Sequence, residues 1–99
     1  MSLDPATIKH YRKLGHDLRP IVTISDKGFS EGVAAELARA LDDHELVKIK
    51  LAINDRDQRS DTLALACKES GSELIQAIGK VALLYKKSSQ ETPKHSKAR

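Results

Sequence analysis

The segment that most restricts the fold lies near the middle of the chain, where residues 44–53 read HELVKIKLAI. Apolar residues alternate with lysines there, which is the period of a β-strand with one buried face. The buried side is expected to carry Val47, Ile49, Leu51 and Ile53. The other side carries Lys48 and Lys50, with Leu46 and Ala52. The chain must therefore build a sheet whose second face is at least partly open to water.

Start and stop signals divide the rest of the chain into helices and strands. Asp4 and Pro5 predict the start of a first helix, and Gly15 predicts its end. A strand over 21–25 leads to a second helix capped by Ser30, and the third helix ends at Gly71. Two strands close the chain, over 73–78 and 81–86.

The order α-β-α-β-α-β-β predicts an α/β fold in a single domain. We expect a small mixed four-stranded sheet packed with helices, with right-handed crossovers, some parallel pairing and a final hairpin. Apolar residues at helical spacing predict the core side of each helix. The first helix offers Ile8, Tyr11, Leu14 and Leu18. The second offers Val33, Leu37, Ala40 and Leu41, and the third Leu63, Ala66 and Cys67.

Charge is distributed unevenly along the chain. Residues 86–99 hold five Lys/Arg and one Glu, a net +4, whereas residues 1–85 hold twelve Lys/Arg and thirteen acids, a net −1. We therefore predict a near-neutral folded domain over 1–87 and a disordered basic tail over 88–99. A polyanion would have to bind the domain through a local patch.

Composition excludes several classes of function. Aromatic residues make up only 3% of the chain and tryptophan is absent, which disfavours base recognition by an aromatic sheet. The single cysteine, Cys67, cannot form an internal disulfide or a cysteine-rich zinc site. A single cysteine fits a reducing, cytoplasmic location. With no long apolar segment near the N-terminus, we expect no secretory signal and no membrane partner. We also expect a monomer.

Catalytic and metal-binding patterns are weak. The four histidines lack metal-ligand spacing, and no nucleophile elbow or phosphate-binding glycine motif occurs. The cluster Asp42-Asp43-His44-Glu45 could support acid–base chemistry, but it falls where a helix gives way to a strand. Asp55, Asp57 and Asp61 are interpreted as a capped, solvated turn. We predict no enzyme activity, no cofactor, no metal and no small-molecule substrate, with a small enzyme built on His44 as the weakest alternative.

The first helix has a basic side. It carries Lys9, Arg12, Lys13 and His16 at helical spacing with no acid among them, and Arg19 follows. Surface helices usually intersperse charges of both signs, so a surface that contacts phosphates is a candidate here, with an ordinary solvated face as the alternative.

The loop between the first strand and the second helix is a second candidate. It reads SDKG over residues 25–28. A turn that leads into a helix N-terminus presents backbone N–H groups and the positive end of the helix dipole to an anion. Gly28 permits close backbone approach or a positive φ, and Lys27 adds a cation near the first helix. KH domains clamp a nucleic-acid backbone with a comparable GXXG loop.

Several motifs together resemble a known family. The stretch KLGHDLRPIVTISDKGFSEGVAAELARALDDHELVKIKLA, followed by IGKVALLY, is similar to the YhbY proteins. These are the bacterial stand-alone form of the CRM domain, named for chloroplast RNA splicing and ribosome maturation. The resemblance spans Ile8 to Tyr85. It implies a fold similar to the C-terminal domain of translation initiation factor three, and binding to RNA of large ribosomal subunit precursors.

The resemblance also implies a site. The family contacts RNA through a GxxG loop and basic residues of the first helix, which here correspond to residues 25–28 and the basic side described above. Gly28 matches the second glycine of the motif, whereas Ser25 stands in place of the first. Serine resists a positive φ, and its hydroxyl can cap the turn or bond a phosphate.

These observations predict a non-enzymatic RNA-binding protein that acts in assembly of the large ribosomal subunit. The predicted contacts are Lys9, Arg12, Lys13, His16, Arg19, Ser25, Lys27 and Gly28, extended by Lys48 and Lys50 where the sheet is open. The alternative is an adaptor that holds a basic ribosomal protein against the acidic side of the second helix. That side carries Glu31, Glu36, Asp42 and Asp43.

Overall fold

The computed structural model describes residues 3–87. Three helices and four strands follow one another in the predicted order: α1 (Pro5–Gly15), β1 (Val22–Ser25), α2 (Glu31–His44), β2 (Leu46–Ala52), α3 (Arg56–Ser70), β3 (Glu73–Ile78) and β4 (Val81–Tyr85). The single-domain α/β prediction is confirmed. The tail predicted over 88–99 lies outside the described residues.

The four strands form one mixed sheet in the order β1-β2-β4-β3. β1 runs parallel to β2, while β4 runs antiparallel to both β2 and β3. The predicted parallel pairing and final hairpin are therefore both present. β1 and β4 are each one residue shorter than predicted, since Ile21 and Lys86 only bond the backbone of neighbouring segments. β2 is shorter at both ends than the segment predicted over 44–53.

The main core lies between one face of the sheet and the helices α2 and α3. The alternation in β2 is confirmed, because Val47, Ile49, Leu51 and Ile53 are all buried. They pack with Val22 and Ile24 of β1, Ala82 and Leu84 of β4, and Leu37, Ala40 and Leu41 of α2. α3 contributes Ala66, with Leu63 and Cys67 packed at the margin, as predicted.

Helix α1 packs on the opposite face of the sheet, called here the α1 face. Its contact is close because Gly15 has no side chain: a Cβ built there would lie 2.5 Å from Leu83 Cδ2. Gly15 is therefore a site of close approach between α1 and the sheet. The residue after it, His16, is the C-cap and keeps right-handed helical angles, with φ −58°. The glycine ends the helix as predicted, but without the left-handed cap that a stop signal suggests.

The predicted core side of α1 is only half right. Ile8 and Tyr11 are half-buried, whereas Leu14 is 45% exposed and Leu18 is 37% exposed. Gly15, the next residue after Leu14, faces the sheet instead. The Leu14 side chain therefore points away from the contact between α1 and the sheet. Leu18 lies beyond the end of the helix, in a turn where its N–H donates to the Gly15 carbonyl.

Side-chain caps fix where each helix begins. Asp4, Ser30 and Asp55 accept hydrogen bonds from the backbone N–H three residues ahead, at Thr7, Val33 and Gln58. The bond from the Thr7 backbone lowers the pKa of the Asp4 carboxyl. Asp55 thus has the capping role predicted for the acidic turn after β2.

Candidate nucleic-acid interface

An open basic groove runs between α1 and the edge strand β3. It is lined by Lys9, Arg12, Lys13 and His16 of α1, and by Gln76 of β3. The four α1 residues are all exposed, and the groove has a volume of about 470 Å³. No carboxylate is among the lining residues, so the groove presents a local positive field to an anion. The structure thus brings together four of the predicted site residues. We call this surface the α1 groove.

Two contacts hold α1 in place beside this groove. The Lys48 ammonium donates to the Gly15 carbonyl at 3.0 Å and to the Leu18 carbonyl at 3.3 Å, at the C-terminal end of the helix where free carbonyls accumulate. Toward its other end, Tyr11 stacks on Tyr85 of β4 with ring centroids 4.8 Å apart. Lys48 therefore positions α1, in addition to any contact it makes with a ligand.

Burial and a hydrogen bond to Tyr11 together raise the pKa of Tyr85 to about 12. The neighbouring charge of Glu45 acts in the same direction. Tyr85 is therefore neutral where it stacks on Tyr11, and its hydroxyl adds no charge beside the α1 groove.

Lys50 lies on the α1 face beyond the end of the helix. It is exposed, and its register partners are Thr23 on β1 and Val81 on β4. This position places it between the α1 groove and the end of β1. Arg19 is also exposed, in the connection from α1 to β1. Both cations can extend a positive path across the sheet.

The loop after β1 forms a tight turn. Gly28 N donates to the Ser25 carbonyl at 2.9 Å, and Lys27 N lies 3.3 Å from Ser25 Oγ. Gly28 has φ +98°, which explains the need for glycine there. Ser25 has no positive φ, since among the described non-glycine residues only Glu45 does. The backbone at Ser25 thus needs no glycine, and the serine hydroxyl supports the turn.

Neighbouring elements hold this turn against the fold. The Gln58 side-chain amide of α3 donates to the Asp26 carbonyl at 3.0 Å, and Phe29 packs against the core. Lys27 is exposed at the tip, and Ser30 caps α2 directly behind it. A phosphate at Gly28 would meet the N-terminal end of α2, although Glu31 in its first turn opposes an anion.

The loop and the α1 groove are separate surfaces. The loop follows β1 and the groove borders β3, and these strands form opposite edges of the sheet. Ser25 pairs with Ala52, four residues beyond Lys48, which is about 13 Å along the strand. Lys27 therefore does not join the basic side of α1, although the sequence suggested that they lie near each other. A ligand that touches both must cross the sheet past Lys50.

The other chemical candidates remain on the surface. Asp43 and His44 are exposed at the end of α2, and the described residues contain no cluster of three or more His, Cys, Asp or Glu that could hold a metal. Burial raises the pKa of the half-buried Cys67 thiol, as expected for a small core residue. In the part of the chain that the structure describes, no helix is long and apolar enough to cross a bilayer.

Sequence reasoning missed two residues of the surface. Gln76 completes the α1 groove, and Gln58 fixes the loop. One sign that Gln76 belongs to a functional surface was present in the sequence, namely a polar residue inside the apolar strand ELIQAI. Its place beside α1 depends on the order of the strands in the sheet, which the sequence does not show. Gln58 gave no signal, because its contact with Asp26 joins residues 32 positions apart.

Comparison with known proteins settles the family. A model of the CRS1 / YhbY (CRM) domain matches residues 3–86, which is almost the whole described region. The chain belongs to this family. The family resemblance predicted from residues 8–85 is thereby confirmed.

Relatives of this CRM-domain protein are named for RNA binding. A probable RNA-binding protein of Pseudomonas aeruginosa is 47% identical over 87 residues, covering 88% of this chain and 84% of its own. An RNA-binding protein of Haemophilus influenzae is 36% identical and covers 78% of each chain. A probable RNA-binding protein of Bacillus subtilis is 32% identical, covering 80% of this chain and 82% of its own.

A solved structure shares the fold. The solution structure of a hypothetical Staphylococcus aureus protein, named as a candidate RNA-binding protein, superposes with a TM-score of 0.78. The two chains are 25% identical, and the match covers 92% of this chain and 95% of the other. The architecture is therefore kept while three quarters of the residues differ.

Proposed function

We propose that this CRM-domain protein binds RNA without catalysing a reaction, and that its target is ribosomal RNA in precursors of the large subunit. The observation that carries the proposal is the α1 groove, in which cations line an open surface without a carboxylate among them. Phosphate contacts of this kind supply most sequence-independent nucleic-acid affinity. The names of the relatives support RNA as the partner.

The two separate surfaces suggest how the RNA lies. Its backbone enters the α1 groove, passes Lys50 on the α1 face, and reaches the turn at Lys27 and Gly28. A single short phosphate site would not need cations at both edges of a sheet. This arrangement favours a folded RNA segment, recognised through its shape and phosphates. The protein is expected to act as a cytoplasmic monomer.

Charge reversal tests the two surfaces. We expect Lys13→Glu and Lys27→Glu each to weaken RNA binding and to reduce the slope of log affinity against log salt by about one. Because the surfaces lie far apart, the losses in binding free energy should add in the double variant. Fluorescence anisotropy at several salt concentrations measures both quantities.

A matched control separates local contacts from total charge. The double variant Arg39→Glu with Lys68→Glu removes the same charge from exposed positions on α2 and α3. It should keep a salt slope close to that of the unmodified protein. Equal losses in the two double variants would show that net charge, and no particular surface, attracts the RNA.

The identity of the RNA requires a separate experiment. Crosslinking in cells, followed by sequencing of the bound RNA, should give enrichment confined to large-subunit ribosomal RNA. The Lys13→Glu, Lys27→Glu variant should lose that enrichment. A diffuse profile over many transcripts would contradict the ribosomal proposal and indicate general RNA binding.

The acidic side of α2 supports a second candidate. Glu31, Glu36 and Asp43 are exposed there, and a basic ribosomal protein is the partner that such a surface would attract. Sedimentation of cell extract before and after ribonuclease digestion separates the two. Association that survives digestion favours the protein contact, whereas its loss favours RNA.

A further inference from the structure

A second cavity opens on the α1 face beside the α1 groove. It has a volume of about 240 Å³ and is lined by Gly15, His16, Lys48, Gln76, Ile78, Val81, Ala82 and Leu83. The volume lies below the range of about 300–1,000 Å³ typical of sites for drug-sized ligands. It is therefore suited to a single ring system.

The sheet register explains how the cavity is built. Lys48, Leu83 and Gln76 are cross-strand partners in one row, while Lys50, Val81 and Ile78 form the next row. Aliphatic side chains make the floor, and Ile78, at 64%, is the most exposed large apolar residue in the described part of the chain. The end of α1 forms a wall, which can come close because Gly15 lacks a side chain.

Polar groups stand at the rim of this aliphatic floor. The Gln76 amide can both donate and accept hydrogen bonds, as the edge of a nucleobase requires. The Lys48 ammonium is held by two carbonyls, so one of its three N–H donors is left for a ligand. A flat ring with apolar faces and a polar edge matches this combination.

His16 and Gln76 line both the cavity and the α1 groove. A ligand that fills both must therefore join an anionic chain to a ring with a polar edge, and an RNA nucleotide has this chemistry. We propose that the cavity receives one unpaired nucleobase of the bound RNA, while the α1 groove holds the neighbouring phosphates. The inference rests on the proposed function and adds that the RNA must present a base out of its stack.

The test uses labelled RNA hairpins that differ at one position. Four carry a single unpaired A, C, G or U, a fifth carries an abasic residue at the same bulge, and a sixth is fully paired. We expect at least one base bulge to bind about fivefold to tenfold more tightly than the abasic hairpin. The methyl resonances of Ile78, Val81 and Leu83 should shift with that hairpin and stay in place with the abasic one.

Variants assign this preference to the cavity. Ile78→Thr and Gln76→Ala should each bring the affinity for the preferred bulge close to that for the abasic hairpin. Leu74→Thr is the matched control, because Leu74 is 46% exposed on the same strand and pairs with Leu84, whose side chain lies on the other face. It should keep the preference, and Lys13→Glu should weaken all hairpins equally.

The outcomes distinguish this inference from the proposed function. The inference would be overturned if all hairpins bound with the same affinity and no base bulge produced methyl shifts that the abasic hairpin lacks. Salt-dependent binding of all hairpins would, in that case, leave the proposed RNA binding intact. Failure to bind any hairpin or ribosomal RNA would overturn both.

Discussion

Helices α1 and α2 lie on opposite faces of one sheet and carry opposite charge. From Pro5 to His16, α1 and its cap hold three Lys/Arg and no carboxylate, whereas α2 holds four carboxylates and one arginine. Of these two helices, α1 is the one whose exposed charge is complementary to a phosphate backbone. The α2 side would repel it, except at the helix N-terminus behind Gly28.

The two helices are also attached differently. α2 buries Leu37, Ala40 and Leu41 in the main core, while the one buried residue of α1 is Gly15. α1 is held by that close backbone approach, by the Lys48 bonds and by the tyrosine stack. α2 therefore stabilises the fold by burying apolar side chains, whereas the basic side chains of α1 stay exposed along the α1 groove.

The largest expected effect comes from truncating a leucine in each helix. Leu37→Ala should lower the free energy of unfolding by about 2–5 kcal/mol, because Leu37 is fully buried and a cavity remains. Leu14→Ala should cost less than about 1 kcal/mol, because that side chain is 45% exposed. Urea denaturation measures both, and equal losses would contradict the assigned roles.

Next comes the reversal of one arginine in each helix. Arg12→Glu should weaken RNA binding about tenfold, since it places a carboxylate in the α1 groove. Arg39→Glu makes the same change of charge on exposed α2 and should leave affinity within about twofold. Anisotropy titrations at one salt concentration measure both affinities. A greater loss of affinity for Arg39→Glu than for Arg12→Glu would place the RNA on α2.

A matched pair of glycines should give smaller effects of opposite sign. Gly15→Ala should destabilise by about 1–2 kcal/mol, because its methyl group meets buried Leu83. Gly32→Ala should stabilise by about 0.5–1 kcal/mol, because its neighbourhood is open and alanine favours helix. Thermal unfolding distinguishes the signs, and stabilisation by both would mean that α1 does not rest closely on β4.

The smallest effect concerns alkaline pH and the attachment of α1. The pKa of Tyr85 is raised to about 12, against about 10 in an unfolded chain. The stabilising contribution of its neutral form is thus complete below pH 10 and is lost as pH rises from 10 to 12. Stability should fall less steeply in Tyr85→Phe than in the unmodified protein. Identical slopes over this range would contradict the burial of the hydroxyl.

Periodicity and capping predicted most of the fold. The alternation in β2 correctly assigned Val47, Ile49, Leu51 and Ile53 to the core. Asp4 and Ser30 marked two helix starts. Such signals are local, because they depend on residues that are near one another in the sequence. They also predicted the basic side of α1, whose four residues lie together in the groove.

Features that depend on distant neighbours could not be predicted. Gly15 looked like a stop signal, because nothing in the sequence places Leu83 against it. Lys48 looked like a free surface cation until the fold set the end of α1 above it. Lys27 and the basic side of α1 looked adjacent because they are close in sequence. The loop follows β1 and the α1 groove borders β3, however, and these strands are opposite edges of the sheet.

The central claim is that RNA lies across the α1 face and leaves α2 free. The most direct test is to map backbone amide shifts while titrating the full chain with a large-subunit ribosomal RNA fragment. We expect the shifts to concentrate on residues 9–16, Lys50, Gln76 and 26–28, with those of 36–43 unchanged. Shifts centred on 36–43, with α1 and the loop unaffected, would contradict the account.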